Sequence, residues 1–148
     1  MPSEYRIALE ADLLFARHFG RMRIGGFRAA FQSYLAHEDY RRGRPELVDI
    51  RGVAGLRVRF ADVSGFSLEV ARQPVGAGPT PTVILAQPGL QFGVARMYQQ
   101  ISRLAATPAI EVAVFTDEAE ALAAFGVAER SIEAMLAAHD FGDAVSVG

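Results

Sequence analysis

The 148-residue chain contains no cysteine, which removes disulfides, thiolate nucleophiles and thiolate metal sites together. Its three histidines, His18, His37 and His139, lie on different segments with no ligand spacing between any two, so no metal site is expected. No stretch approaches the run of about 20 apolar residues that crosses a bilayer, and Met1-Pro2-Ser3-Glu4-Tyr5 lacks the basic start and apolar run of a signal peptide. A cytoplasmic protein without membrane insertion is the expectation. An excess of charge is missing too: a net charge of -2 and a pI near 5.9 provide no basic face for nucleic acid. The one basic cluster, Arg41, Arg42 and Arg44 with Arg51 and Arg57 further on, is interleaved with Glu38, Asp39, Glu46 and Asp49 and reads as a solvated surface of mixed charge. No serine occupies a Gly-x-Ser-x-Gly turn, and no acid, base and nucleophile set emerges. The sequence therefore predicts a non-enzymatic protein with no cofactor.

What is present is apolar. Hydrophobic residues make up 51% of the chain against 22% charged, a balance that buries a core without staples, and residues 1–148 read as one domain. Tyr5 to Leu9 alternates apolar and polar side chains. Leu13 to Phe19 follows after Glu10-Ala11-Asp12, a connection suited to a hairpin. Between Gly26 and Ala36, the residues Phe27, Ala30, Phe31, Tyr34 and Leu35 recur at helical intervals and predict one buried face. Arg42-Gly43-Arg44-Pro45 ends that helix, and Leu47 to Ile50 reads as a buried strand. Leu56, Val58 and Phe60 then alternate with Arg57 and Arg59 as a few extended residues, before Val63, Phe66, Val70 and Ala71 resume helical spacing.

Pro74 to Pro81 is a loop, and the β-branched run Thr82 to Ala86 is an interior strand. The next helix opens at Gln87-Pro88-Gly89, carries Leu90, Val94, Met97, Ile101 and Leu104 along one stripe, and stops at Thr107-Pro108. A second stripe, Phe92, Ala95 and Tyr98 with Gln99, is also partly apolar. It needs cover from a neighbouring helix or from the second subunit of a homodimer. Ile110 to Phe115 is a strand, and Asp117 with Glu120 forms a capping pattern for a helix from Glu118 to Phe125 that ends at Gly126. A last helix spans Ala128 to His139, and Phe141 to Gly148 reads as a loose tail. This order predicts an α/β domain: a five-stranded mixed sheet, an antiparallel N-terminal hairpin followed by parallel strands, with helices packed on it.

The element order, with Phe60-Ala61-Asp62-Val63-Ser64-Gly65 after the strand ending at Ile50, resembles the STAS domains of bacterial anti-sigma-factor antagonists. Those carry Phe-x-Asp-Ser-Ser-Gly after the third strand, and a partner kinase phosphorylates the second serine. Phe60, Asp62, Ser64 and Gly65 match that element, Val63 replaces its first serine, and the loop from Asp49 to Asp62 is longer than the family's. Over nearly the whole chain the sequence is also similar to uncharacterised bacterial proteins described as SpoIIAA-like. That likeness lies in Leu47-Val48-Asp49-Ile50-Arg51, in Phe92-Gly93-Val94-Ala95-Arg96-Met97-Tyr98-Gln99 and in Val112 to Leu122. These are scaffold residues, so the resemblance implies a fold and no chemistry.

Two functional readings follow. In the first, the surface around Asp62 and Ser64, with Asp49 and Arg51, meets a protein partner. The resemblance implies that Ser64 takes a phosphate there, adding a charge of about -1.5 to -2 near a helix N-terminus. Against it stands a plain capping role, with Asp62 as N-cap and Ser64 in the first turn. In the second, Gln87 with Arg96 and Tyr98 forms a small-molecule or anion pocket at the C-terminal ends of the parallel strands. Against it, Gln87-Pro88-Gly89 has a single glycine and no following lysine-serine pair, so it is also a plain strand-to-helix turn. For Asp49 and Arg51 the competing reading is a structural ion pair.

Overall fold

The hydrophobic period of the chain sets the elements, and the sheet sorts them onto two faces. The computed structural model describes residues 2–73, 78–105 and 108–148. In chain order it contains β1 (Ser3–Ala8), β2 (Leu13–Arg23), α1 (Ile24–Ala36), β3 (Glu46–Arg57), α2 (Phe60–Ala71), β4 (Thr80–Leu85), α3 (Leu90–Ser102), β5 (Ile110–Phe115), α4 (Glu118–Phe125), α5 (Ile132–Ala138) and β6 (Val145–Val147). The strands lie in the order β5-β4-β3-β2-β1-β6. From β2 to β5 the neighbours are parallel, while β1 runs antiparallel to both β2 and β6. Each parallel step needs a crossover, and the chain supplies one helix for each.

Strand alternation decides which core each residue joins. Along β3, Val48 and Ile50 point to the layer formed by α1, α2 and α3, where Ala30, Phe31, Tyr34, Val70 and Ala95 are buried. Leu47 points to the opposite face and packs with Phe15, Val83, Leu85, Leu122, Phe125 and Met135 beneath α4 and α5. Asp117 caps α4 by accepting from the Glu120 N–H at 2.8 Å, and Gly126 closes it at φ +97°, the left-handed conformation that favours glycine.

The structure corrects the sequence reading in several places. The sheet has six strands rather than five, because Ser3, Glu4 and Tyr5 pair with Val147, Ser146 and Val145. The C-terminal segment is therefore no loose tail, and Phe141 is buried in the α4–α5 core. The last helix starts at Ile132, where Ser131 accepts from the Ala134 N–H, and not at Ala128. The long segment before Asp62 continues β3 to Arg57, still paired with β2 across two register shifts, while β4 pairs only with Glu46 to Asp49. Beyond Asp49 one edge of β3 therefore lacks a strand partner. Part of the predicted Pro74–Pro81 loop and the Thr107 helix stop lie outside the described residues, and Pro81 belongs to β4.

The largest correction concerns α3. Two members of its predicted apolar stripe, Leu90 and Leu104, are 66% and 84% exposed, whereas Gln91, Ala95, Gln99 and Ser102 are buried. Hydrogen bonding turns the glutamine side of the helix toward the strands, while Val94, Met97 and Ile101 stay half-buried. Gln91 Nε2 donates to the Val53 carbonyl on the unpaired part of β3, and Gln99 Nε2 donates to the Val112 carbonyl on the edge strand β5, both at 2.8 Å. Strand carbonyls without a ladder partner need donors, and glutamine amides reach them where leucine does not.

Replacing Phe141 by Ala removes a buried ring from the second core and is expected to lower unfolding free energy by about 3 kcal/mol. Urea denaturation measures it, and a loss below about 1 kcal/mol would return the segment to the status of a loose tail.

Candidate functional site

Between the α1–α3 layer and the sheet lies a cavity of about 120 Å³. Its floor includes Val48, Ile50 and Ile84 from the strands, and its roof includes Phe31 from α1, Phe66 from α2 and Tyr98 from α3. The roof rings pack on one another, with 5.8 Å between the centroids of Phe31 and Phe66 and again between Phe66 and Tyr98. α3 meets the strands through long glutamine side chains and the small Ala95, a contact that leaves space unfilled.

Polar groups enter this apolar space at two places. Glu46, at the start of β3, is 8% exposed, lines the cavity and accepts no hydrogen bond from the described residues. Burial pushes its carboxyl up to about 7, opposed by the nearby Arg42 guanidinium. Arg42 also lines the cavity. Its Nη2 donates to the Ala109 carbonyl at 3.2 Å and its Nη1 to the Tyr40 hydroxyl at 3.4 Å, while its Nε is buried without a partner. Tyr34 and Tyr98 line the same space, and desolvation, with Glu46 adding to it, holds both hydroxyls protonated.

The second polar group is His18 on β2, 2% exposed, with Nδ1 2.7 Å from Ser3 Oγ and its ring 4.9 Å from that of Phe27. Burial drives its pKa down to about 4, with the charge of Asp49 pulling weakly the other way. The imidazole is therefore neutral at ordinary pH.

The predicted site residues do not converge. Gln87 Nε2 donates to the Arg51 carbonyl at 2.9 Å and its backbone N–H donates to Gln91 Oε1, so it ties the start of α3 to β3. Arg96 is exposed and rests on Gln99 Oε1 at 2.6 Å. Tyr98 alone of the three lines the cavity. Because Tyr98 points inward, it also leaves the surface proposed for a homodimer with Phe92, which stays half-buried.

Asp49 and Arg51 form an ion pair. Buried Asp49 receives Arg51 Nε and Nη2 at 3.0 Å each, and Arg51 continues to Glu118 Oε1 at 2.8 Å. Glu118 in turn accepts from the Ile132 N–H at 2.8 Å, so this chain of charges links β3 to the starts of α4 and α5. Asp62 is not the N-cap of α2. Arg59 is, and Asp62 at the third helical position accepts from the Arg59 N–H at 2.8 Å. Ser64 then falls in the second turn, half-buried, with no hydrogen bond from its hydroxyl to the described residues. The Arg41–Arg44 cluster is likewise more than solvated charge: Arg44 is buried and, with Arg41, pairs to Asp12.

Glu46, Arg42 and His18 were passed over in the sequence. A usable signal existed for Glu46, which stands two and four residues before Val48 and Ile50 and so shares their inward face. Among the described residues no group of three or more His, Asp or Glu side chains is arranged to hold a metal ion. Among the described residues no helix is long and apolar enough to cross a membrane.

The fold and cavity define an α/β domain with an apolar pocket between α1, α2, α3 and the sheet. No family model and no curated protein matches the chain. Among solved structures it is similar to the crystal structure of an uncharacterised protein of the DUF3478 family, with a SpoIIAA-like fold, from Shewanella loihica PV-4. The identity is 21%, the match covers 75% of this chain and 82% of that one, and the TM-score is 0.46.

Glu46 and His18 work against each other over one pH range. The raised Glu46 pKa makes its favourable contribution complete below about 4.5 and lost as pH rises through about 7. The lowered His18 pKa makes its contribution complete above about 6.5 and lost as pH falls through about 4. Glu46→Gln is expected to raise stability at pH 8 by an amount on the order of 3 kcal/mol, and to leave a variant whose stability rises between about pH 4 and 6.5. Urea titrations across that range check both signs.

Proposed function

We propose that this protein is a non-enzymatic binding domain that takes a compact apolar molecule into the cavity between α1, α2, α3 and the sheet. One observation carries the reading: an apolar space roofed by aromatic rings contains a buried carboxylate that no described protein group satisfies. Binding pockets have this composition, mostly apolar walls with a few convergent polar groups. Its volume, about 120 Å³, sets the size class. A cavity of about 150 Å³ admits benzene, so the ligands of matching size are a single small ring, with any substituent reaching the open side of the pocket, or a short alkyl chain.

A second reading is favoured by the exposed side of α2. Phe60 and Leu68 are 64% and 53% exposed, and Ser64 stands between them at helical spacing, four residues from each. A hydroxyl flanked by uncovered apolar side chains suits a regulated contact with a protein partner, in which a phosphate on Ser64 adds charge and weakens docking. Phosphopeptide mass spectrometry of protein isolated from its native host is expected to find Ser64 modified, and repeated full coverage without modification would remove this reading.

For the cavity, Ala95→Leu places bulk where a ligand would sit. The variant is expected to melt within about 5 °C of the parent, because the added carbons enter existing space. Small aromatic alcohols at saturating concentration are expected to raise the parent Tm by about 5 °C and the variant's by less than about 1 °C. Equal shifts in both proteins would place binding elsewhere.

A further inference from the structure

We propose that the cavity selects ligands bearing an uncharged group that both donates and accepts hydrogen bonds, a hydroxyl above all, held between the Glu46 carboxylate and the Arg42 guanidinium. This deepens the cavity reading and rests on it. Both residues line the space, Glu46 is more than nine-tenths buried without a donor from the described residues, and Arg42 Nε is buried without an acceptor. A carboxylate on a buried residue that receives no donor from the described residues, and a buried guanidinium N–H without an acceptor among them, each forgo a charge-assisted bond there. One hydroxyl answers both, donating its O–H to Glu46 and offering its lone pairs to Arg42.

Charge argues against ionic ligands. Glu46 and Arg42 together are formally neutral, so an ammonium group gains one and meets the other, and a carboxylate does the same with the signs exchanged. Either ion also gives up its hydration on entering a space walled by Val48, Ile84, Phe31 and Phe66. A hydrocarbon avoids that cost and leaves both protein groups unanswered. Thr82, Tyr34 and Tyr98 are the other polar side chains from β4, α1 and α3 that line the cavity, and all are uncharged. The remaining titratable group, His18, is neutral and bonded to Ser3.

Four ligands of one size separate the possibilities: benzyl alcohol, toluene, benzylamine and benzoate, titrated at pH 8 by calorimetry into the parent and into Glu46→Gln and Glu46→Leu. Benzyl alcohol is expected to bind the parent at least tenfold more tightly than the other three. Glu46→Leu is expected to reduce that preference over toluene to less than threefold, and Glu46→Gln, which keeps an acceptor, to retain part of it. Tightest binding of benzylamine or benzoate overturns the proposal in favour of an ionic ligand. Equal binding of all four, or an alcohol preference unchanged in Glu46→Leu, overturns it while the cavity reading stands. Failure of all four to bind the parent overturns both.

Discussion

Three glutamine amides decide where α3 lies, and much of the remaining structure follows from them. β3 extends beyond β4 and exposes carbonyls with no strand to satisfy them. Gln87 and Gln91 donate to two of these, those of Arg51 and Val53, while Gln99 donates to Val112 on β5. A carbonyl left buried and unpaired costs about 1–3 kcal/mol, comparable to the gain from turning one exposed leucine inward, and three carbonyls are served here against two leucines left in solvent. The helix accordingly presents amides and Ala95 to the sheet, leaves Leu90 and Leu104 in solvent, and stands over a space that apolar side chains do not fill.

The two faces of the sheet handle charge differently. Beneath α4 and α5, Asp49, Arg51 and Glu118 satisfy one another and the Ile132 N–H, a closed network that fixes helix starts. On the α1–α3 face, Glu46 and Arg42 stay open toward the cavity. A buried acidic residue that receives no donor from the described residues costs the fold free energy, and such expense is characteristic of sites adapted to something other than stability. The contrast within one sheet is what supports the cavity in the proposed reading.

The core was legible where one physical signal dominated. Thr82 to Leu85 is β-branched and apolar and forms an interior strand. Asp117 and Gly126 bound α4 because cap chemistry is local. Phe27, Phe31 and Tyr34 on α1 turn inward as their spacing predicts. The reading failed where tertiary contacts override local pattern. The stripe from Leu90 to Leu104 is the more apolar face of α3, yet its ends Leu90 and Leu104 lie in solvent and Val94, Met97 and Ile101 are only half-buried, because the free carbonyls of β3 and β5, invisible in sequence, draw the glutamine side to the strands. Val145 to Val147 is too short and polar-flanked to announce a strand, and becomes one because the edge of β1 is available. The site was hidden for a similar reason: Glu46 sits at a strand start, where a charged residue ordinarily faces water, and its burial arises in a space that it shares with Tyr34 of α1 and Tyr98 of α3, which only the tertiary fold brings together.

The central claim is that the space under α3 is a real and accessible apolar cavity. Xenon occupies apolar cavities of this order without needing any hydrogen bond, so a crystal of the protein under xenon pressure reads the cavity independently of its polar groups. The account predicts a xenon site among Phe31, Phe66, Ile84 and Ala95. Closure of that space by collapsed side chains, with xenon found only at the molecular surface, would contradict it.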